Sequence, residues 1–454
     1  MKNYMKYIKE ILKIALPAVG EMTLYMLVWV FDTMMVGHYG GKLAVAAVGF
    51  SSEIMYTIIN TLIGMGLSVA MTSIIARGLG SKDIQKTTRF ANQGFNLGVC
   101  FAVTVATIYF IFAEKILRCF GAEEAIMQNA TLYIRICSVG MLFTMIGNVF
   151  SGIFRGCKDT RTPLYGAMIA NIVNLSLDYI FIFGKFGMPE LGVKGAALAT
   201  ATAGISCFLF LLYRIKTMPI KLQFFTKFDK NIVKDILRFS IPASLQEGSF
   251  SIGKLMGVII VMSLGSLAFS ANQISVTIES ISFMPGWGFS LACTALVGHC
   301  VGEGNYKKAK KYINATAILS AMIMGTFGII FFFFSKDIIR LFIKKEEIEV
   351  IALGALCLQI SCFQQIGTSL GMTFSGAFKG LGDSKTPFKV SFVCNWLVRL
   401  PLMYYFLYIN RKPLTYFWWI TVAQWNLEAI TLFIVYKLKI KKLIKKQNEI
   451  EGVL

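Results

Sequence analysis

The chain has 454 residues, of which 56 % are hydrophobic and 15 % charged, and its formal net charge is +21. At about 20 apolar residues per membrane-spanning helix, this composition supplies ten to twelve spans. It excludes a disordered chain, a disulfide-stapled secreted domain and an ordinary soluble enzyme. Segments 90–113 and 312–335 each run 24 residues without Asp, Glu, Lys or Arg, so the expected fold is an all-α polytopic membrane protein.

In chain order, span one falls near 14–36, behind Lys2, Lys6, Lys9 and Lys13. It is too long for the apolar core of a signal peptide, contains Pro17, Glu21 and Asp32, and has no small-residue cleavage site, so it reads as a retained helix. Spans two, three and four are expected near 46–76, 90–113 and 130–154. Span five, near 162–184, carries Asn174 and Asp178 one helical turn apart on one face. Span six, near 195–213, carries Thr200. The stretch 214–238 holds seven Lys or Arg and reads as a linker. Beyond it come span seven near 239–265 with Pro242, Glu247 and Lys254, and span eight near 266–298 with Glu279. Spans nine and ten fall near 312–335 and 350–378, span eleven near 390–410 with Arg399, and span twelve near 413–436 with Glu428.

The two sets of spans are copies. Gly152-Ile-Phe-Arg-Gly-Cys-Lys-Asp-Thr-Arg-Thr-Pro163 recurs as Gly376-Ala-Phe-Lys-Gly-Leu-Gly-Asp-Ser-Lys-Thr-Pro387, at an offset of 224. Ile11-Leu-Lys-Ile-Ala-Leu-Pro17 recurs as Ile236-Leu-Arg-Phe-Ser-Ile-Pro242, at 225, and Gly78-Leu-Gly80 as Gly302-Glu-Gly304, at 224. Six spans is an even number, so both copies enter the membrane from the same side, as parallel repeats do. The expected division is an N-terminal six-helix lobe at 1–213, a cytoplasmic linker at 214–238, a C-terminal six-helix lobe at 239–436 and a basic cytoplasmic tail at 437–454. The repeated glycine and Asp/Thr-Pro turns read either as hinges or as plain turn chemistry.

Charge follows this topology. The N-terminus, the even-numbered connections and the tail carry 31 Lys and Arg against 11 in the odd-numbered connections, which places both termini in the cytoplasm. The basic excess therefore implies no nucleic-acid partner. Ten cysteines include no Cys-x-x-Cys pair and read as reduced packing residues, and His38 and His299 are too few for a His-based metal site.

Ionisable groups at membrane depth carry the functional reading, because each costs a few kcal/mol at the least. Counting about 1.5 Å per residue, Asp32, Asp178 and Thr200 lie roughly 6–9 Å below the outer ends of their spans. With Asn174 they gather four oxygen-bearing side chains from three spans of one half. Two neighbouring buried carboxylates bind a proton or a hard cation more readily than either alone. In the second half, Lys254 and Glu279 lie at similar depth. With Glu247 they read either as lining a central path or, for Lys254 and Glu279, as a static ion pair. Arg399 and Glu428 read as a structural pair. Pro17 and Pro242, at matched places, each free a backbone carbonyl and mark either a bend point or a fixed kink.

Several motifs together resemble the multidrug and toxic compound extrusion (MATE) family of secondary transporters. They are Leu16-Pro17 followed by Phe-Asp32-Thr-Met-Met-Val-Gly37; Asn174-x-x-x-Asp178-Tyr with Gly184; Gly195-Ala-Ala-Leu-Ala-Thr200; and both Gly-x-Phe-(Arg/Lys)-Gly-x-x-Asp-x-(Arg/Lys)-Thr-Pro blocks. The resemblance covers nearly the whole chain. It implies an inner-membrane antiporter, not an enzyme, that expels amphipathic or cationic compounds against a proton or sodium gradient by alternating access between two lobes. It further implies a cation-coupling site at Asp32, Asn174, Asp178 and Thr200, a hinge at Pro17, and no cofactor beyond the coupling ion. No obligate protein partner is evident. Some family members place an acid in span ten, where 364–373 has none. The alternative of a flippase for a lipid-linked glycan or cell-wall precursor calls for a cationic cavity, and only Lys254 and Arg399 lie deep.

Overall fold

The structure, a computed structural model, describes residues 2–343 and 347–453. The first residue of the N-terminal lobe, the last of the basic tail, and Lys344, Lys345 and Glu346 of the ninth connection lie outside these residues. Helix α1 runs Lys2–Ile59, and its helical dihedrals break at Gly41 (φ 59°, ψ −151°). Only a residue without Cβ takes such a conformation at little cost, so Gly41 divides span one from span two by a kink and not by a loop. Span two continues through a π-helical stretch, Asn60–Ser68, into α2, Val69–Gly80.

Spans three to six are α3 (Ile84–Cys119), α4 (Glu124–Gly156), α5 (Arg161–Phe183) and α6 (Val193–Arg214). Spans seven to ten are α7 (Lys230–Met262), α8 (Ser266–Gly302), α9 (Tyr306–Arg340) and α10 (Ile348–Gly380). Span eleven is composite: α11 (Lys385–Phe392), a π-helical stretch Val393–Arg399, α12 (Leu400–Met403) and a second π-helical stretch Tyr404–Ile409. Eleven helical segments among the described residues are long and apolar enough to cross a membrane. The 39-residue α13 (Thr415–Val453) completes the expected twelve.

The duplication is visible in side-chain detail. Asp83 accepts from the backbone N–H of Lys86 at 3.0 Å and starts α3, as Asn305 accepts from that of Lys308 at 2.8 Å and starts α9. Asp159 accepts from the backbone N–H groups of Arg161 and Thr162 and from the Thr162 hydroxyl at 2.6 Å. Asp383 does the same with Lys385, Thr386 and the Thr386 hydroxyl, also at 2.6 Å. A Cβ at Gly152 would collide with the Ser68 carbonyl oxygen, and one at Gly376 with that of Ser290. The Thr72 hydroxyl donates to the Gly152 carbonyl at 3.0 Å and the Thr294 hydroxyl to the Gly376 carbonyl at 2.9 Å. Each repeated block thus combines a close helix crossing with an Asp-capped turn.

By packing, the chain falls into two units, Gly20–Ser244 and Met1–Val19 with Leu245–Leu454. In the first, Leu67, Met71, Val149, Phe150 and Phe154 sit at the centre of one large apolar cluster. In the second, Ile11, Ile14 and Ala15 of α1 pack with Phe289 and Ala292 of α8 and Phe378 of α10. This cut is not the one at the linker. α1 and α7 each change unit two residues after a repeated proline, Pro17 and Pro242. The linker is strapped to the first unit: Gln93 donates to the Lys227 carbonyl at 2.7 Å, Asn96 to that of Thr226 at 2.6 Å, and Asn92 accepts from the backbone N–H of Gln223 at 2.9 Å.

Candidate functional site

In the first unit α1, α5 and α6 bring the four expected residues together. Asp178 and Asn174 are wholly buried and Asp32 is 7 % exposed. The Thr200 hydroxyl donates to Asp32 Oδ2 at 3.3 Å, and Asn174 Nδ2 donates to Thr200 Oγ1 at 3.5 Å. The Asp178 carboxyl lies within hydrogen-bonding reach of the Asp32 carboxyl. Among the described residues, Asp32 Oδ1, Asn174 Oδ1 and both oxygens of Asp178 are buried without a hydrogen-bond donor. All of these are acceptor atoms, so what they require is positive charge. A proton shared between the two carboxyls would meet that requirement, and so would a small hard cation with oxygen ligands. The residues fit either ion.

One neighbour was not foreseen. Tyr133 of α4, 2 % exposed, accepts a hydrogen bond from the Ser52 hydroxyl at 3.1 Å and lies beside Thr200 and Asp32. A phenol in an apolar span carries no charge to mark it, and helical periodicity alone does not say which neighbour it meets. A second unforeseen feature is the pair Glu21–Arg155. Arg155 Nη2 meets Glu21 Oε1 at 2.6 Å and Nε meets Oε2 at 3.2 Å, with side chains 5 % and 0 % exposed. Arg155 Nη1 also reaches Ser68 Oγ at 3.3 Å. Arg155, counted above as a loop charge, is therefore a buried structural cation.

The second unit departs from expectation. Lys254 is exposed and makes no ion pair with Glu279 among the described residues. Glu279, 7 % exposed, accepts from Gln364, and the cations that face it are Arg399 first and Lys254 second. Glu247 faces Lys379 and, next, Lys254. The expected pair Arg399–Glu428 does not form among the described residues. Arg399 Nη1 donates to Asn395 Oδ1 at 3.4 Å and its guanidinium lies 5.8 Å from the Phe417 ring centre, while Glu428 accepts from Gln424 at 2.8 Å. Similar depth did not specify partners: Arg399 ends a π-helical stretch, Val393–Arg399, whose turns do not follow the 3.6-residue period, and each group finds a neighbour four residues away on its own span. Pro17 sits in α1 with no break in helical dihedrals at its own position.

Comparison with known proteins follows the repeat. The MatE family profile matches residues 17–180 and again 242–405. The chain is 32 % identical over 407 residues to the probable multidrug resistance protein NorM of Thermotoga maritima, covering 87 % of this chain and 85 % of that protein. It is 26 % identical over 414 residues to the multidrug resistance protein MdtK of Yersinia pseudotuberculosis, covering 89 % and 88 %. Crystal structures of MATE in the bent and in the straight conformation superpose with TM-scores of 0.89 and 0.88 at 23 % and 24 % identity. They cover 99 % of each chain and 97 % of each chain respectively.

Proposed function

Because the chain belongs to the MatE family of membrane transporters, we propose that it exports amphipathic or cationic small molecules by antiport with protons or sodium. Both termini face the cytoplasm and the protein resides in the cytoplasmic membrane, as the distribution of Lys and Arg favours. The observation that carries the reading is the set of donorless acceptor oxygens on Asp32, Asn174 and Asp178 beside Thr200. A cation entering from outside neutralises the two carboxyls, and the change is passed along the helix that holds both Asp32 and Pro17. Access then alternates between the two sides. Each charge crossing with the field supplies about 2.3 kcal/mol per 100 mV, enough for roughly a fiftyfold gradient of an uncharged substrate. Glu247, Lys254 and Glu279 line the route of the expelled compound. The flippase alternative is not favoured, since the relatives carry multidrug-resistance names.

Proteoliposomes holding a fluorescent cation, with pH and sodium gradients imposed separately, test the proposal. The unaltered protein should respond to one gradient or the other, and Asp32→Asn should respond to neither. Undiminished gradient-driven efflux in Asp32→Asn would defeat it.

A further inference from the structure

On the second unit, α9, α10 and α13 enclose a groove of about 790 Å³. Its floor is made of small residues: Ala317 and Ala321 of α9, Gly367 of α10 and Ala429 of α13. A Cβ at Gly367 would stand 2.7 Å from Asn426 Oδ1 and 3.2 Å from Asn426 Cα, so α10 and α13 approach closely at this point. Exposed Ile318, Ile366 and Ile430 flank the groove. Along α13 it runs from Asn426 to Ile444, about 27 Å at 1.5 Å per residue, and its stretch from Asn426 to Lys441, about 22 Å, is close to the length of one extended acyl chain.

One end is different in kind. Lys310, near the start of α9, and Lys437 and Lys441, past the middle of α13, all line the groove on the side of the C-terminal tail, and no Asp or Glu is among the described lining residues. Just inside them, Tyr436 donates to Asn314 Oδ1 at 3.0 Å and closes the floor. Lys437 Nζ is held 4.4 Å from the Phe433 ring, at the groove's edge. Lys439, between them in sequence, points elsewhere and pairs with Asp383 at 2.5 Å. An apolar trough of chain length, ending in three lysines, has the chemistry of an acyl chain below an anionic headgroup.

We propose that this groove binds an anionic phospholipid from the leaflet on the side of the C-terminal tail. Its phosphate lies among Lys310, Lys437 and Lys441, and one acyl chain runs over Ala317 and Ala321 toward Asn426. Such a site would tie the face of α9, α10 and α13 to the charge of the surrounding membrane, separately from the cation-coupling residues of the other unit.

Native mass spectrometry of the full-length detergent-purified protein, offered phosphatidylglycerol and phosphatidylcholine with the same acyl chains, is the test. The anionic lipid should be retained at least about tenfold more tightly, since each lysine near a membrane surface adds roughly fivefold. The triple variant Lys310→Gln/Lys437→Gln/Lys441→Gln should lose that preference, and Ala321→Phe, which fills the trough, should lose retention of the lipid. Equal retention of the two lipids by the unaltered protein would overturn the proposal even if no variant folds. So would retention unchanged in both variants, or displacement of the lipid by millimolar glycerol phosphate alone, which would mark a site for soluble anions.

Discussion

Glu21 and Arg155 form the kind of contact whose loss is costly on one side only. Removing the acid leaves a buried guanidinium whose remaining hydrogen-bond partner among the described residues is the Ser68 hydroxyl. Glu21→Gln should therefore destabilise the protein by about 3–5 kcal/mol, whereas Glu21→Gln/Arg155→Gln together should cost clearly less than the two single changes summed. Thermal unfolding in detergent reads both, and additive losses would show that the pair has no mutual interaction. Asp383 gives a pH-dependent counterpart outside the spans. Burial pushes its carboxyl up, but hydrogen bonds from Lys439 and Thr386 outweigh that and hold it below its ordinary value of 3.8. A depressed acid stabilises the fold above its unfolded-state value, and the contribution fades as pH falls through the lower folded value. Asp383→Asn should accordingly lower the melting temperature at pH 7, with the gap to the unaltered protein closing below about pH 4; a gap constant down to pH 3 would contradict it. Asp32 and Asp178 were legible in the sequence because a carboxylate in an apolar run is conspicuous and depth follows from counting residues. Arg155 was not, because its block ends a helix and reads equally well as a loop, and the partner that buries it lies 134 positions earlier.

Among elements, the repeated glycines show what sequence similarity was reporting. The offset of 224 pointed to matched hairpins, but Gly152 and Gly376 are kept by the approach of α4 to the Ser68 carbonyl and of α10 to that of Ser290. The hydrogen bonds from Thr72 and Thr294 show the crossing to be the same in both copies. Gly152→Ala and Gly376→Ala should each cost about 1–3 kcal/mol from overpacking against backbone that cannot move alone. Gly49→Ala, a helical glycine with nothing within 4 Å of the added Cβ, should be neutral or gain up to about 1 kcal/mol. If all three shift the melting temperature alike, close approach is not what those glycines serve. The repeated prolines gain meaning in the same way. Periodicity located Pro17 and Pro242 in their helices, yet only packing shows that both helices change unit two residues later. A helix shared by two units must flex at its crossing if they move, and a proline there removes one hydrogen bond that would resist it. The composite span eleven was illegible, since nothing in its composition separates π-helical from α-helical turns.

Across the whole molecule, duplication preserved the frame and not the chemistry. The turn aspartates, the starting caps of α3 and α9 and the close-crossing glycines all recur. The proposed cation-coupling set does not: at offsets of 224 or 225, Asp32 corresponds to Met256 or Gly257, Asn174 to Val398 or Arg399, Asp178 to Leu402 or Met403 and Thr200 to Gln424 or Trp425. The buried acids of the second unit, Glu279 and Glu428, instead accept hydrogen bonds from Gln364 and Gln424. Among the described residues Asp32 accepts from Thr200 at one oxygen and Asp178 at neither, so this pair has more need of an entering cation than acids that each have an amide donor. Coupling should therefore reside in one unit only. In proteoliposomes, Asp178→Asn should lower gradient-driven efflux by a factor of about 5–150, the range of a coupling free energy of 1–3 kcal/mol. Glu279→Gln should leave the response to the gradient in place while shifting the concentration of compound needed for half-maximal efflux. The reverse pattern, with Glu279→Gln uncoupled and Asp178→Asn still driven, would move the coupling site to the second unit and leave the donorless oxygens of the first without a role.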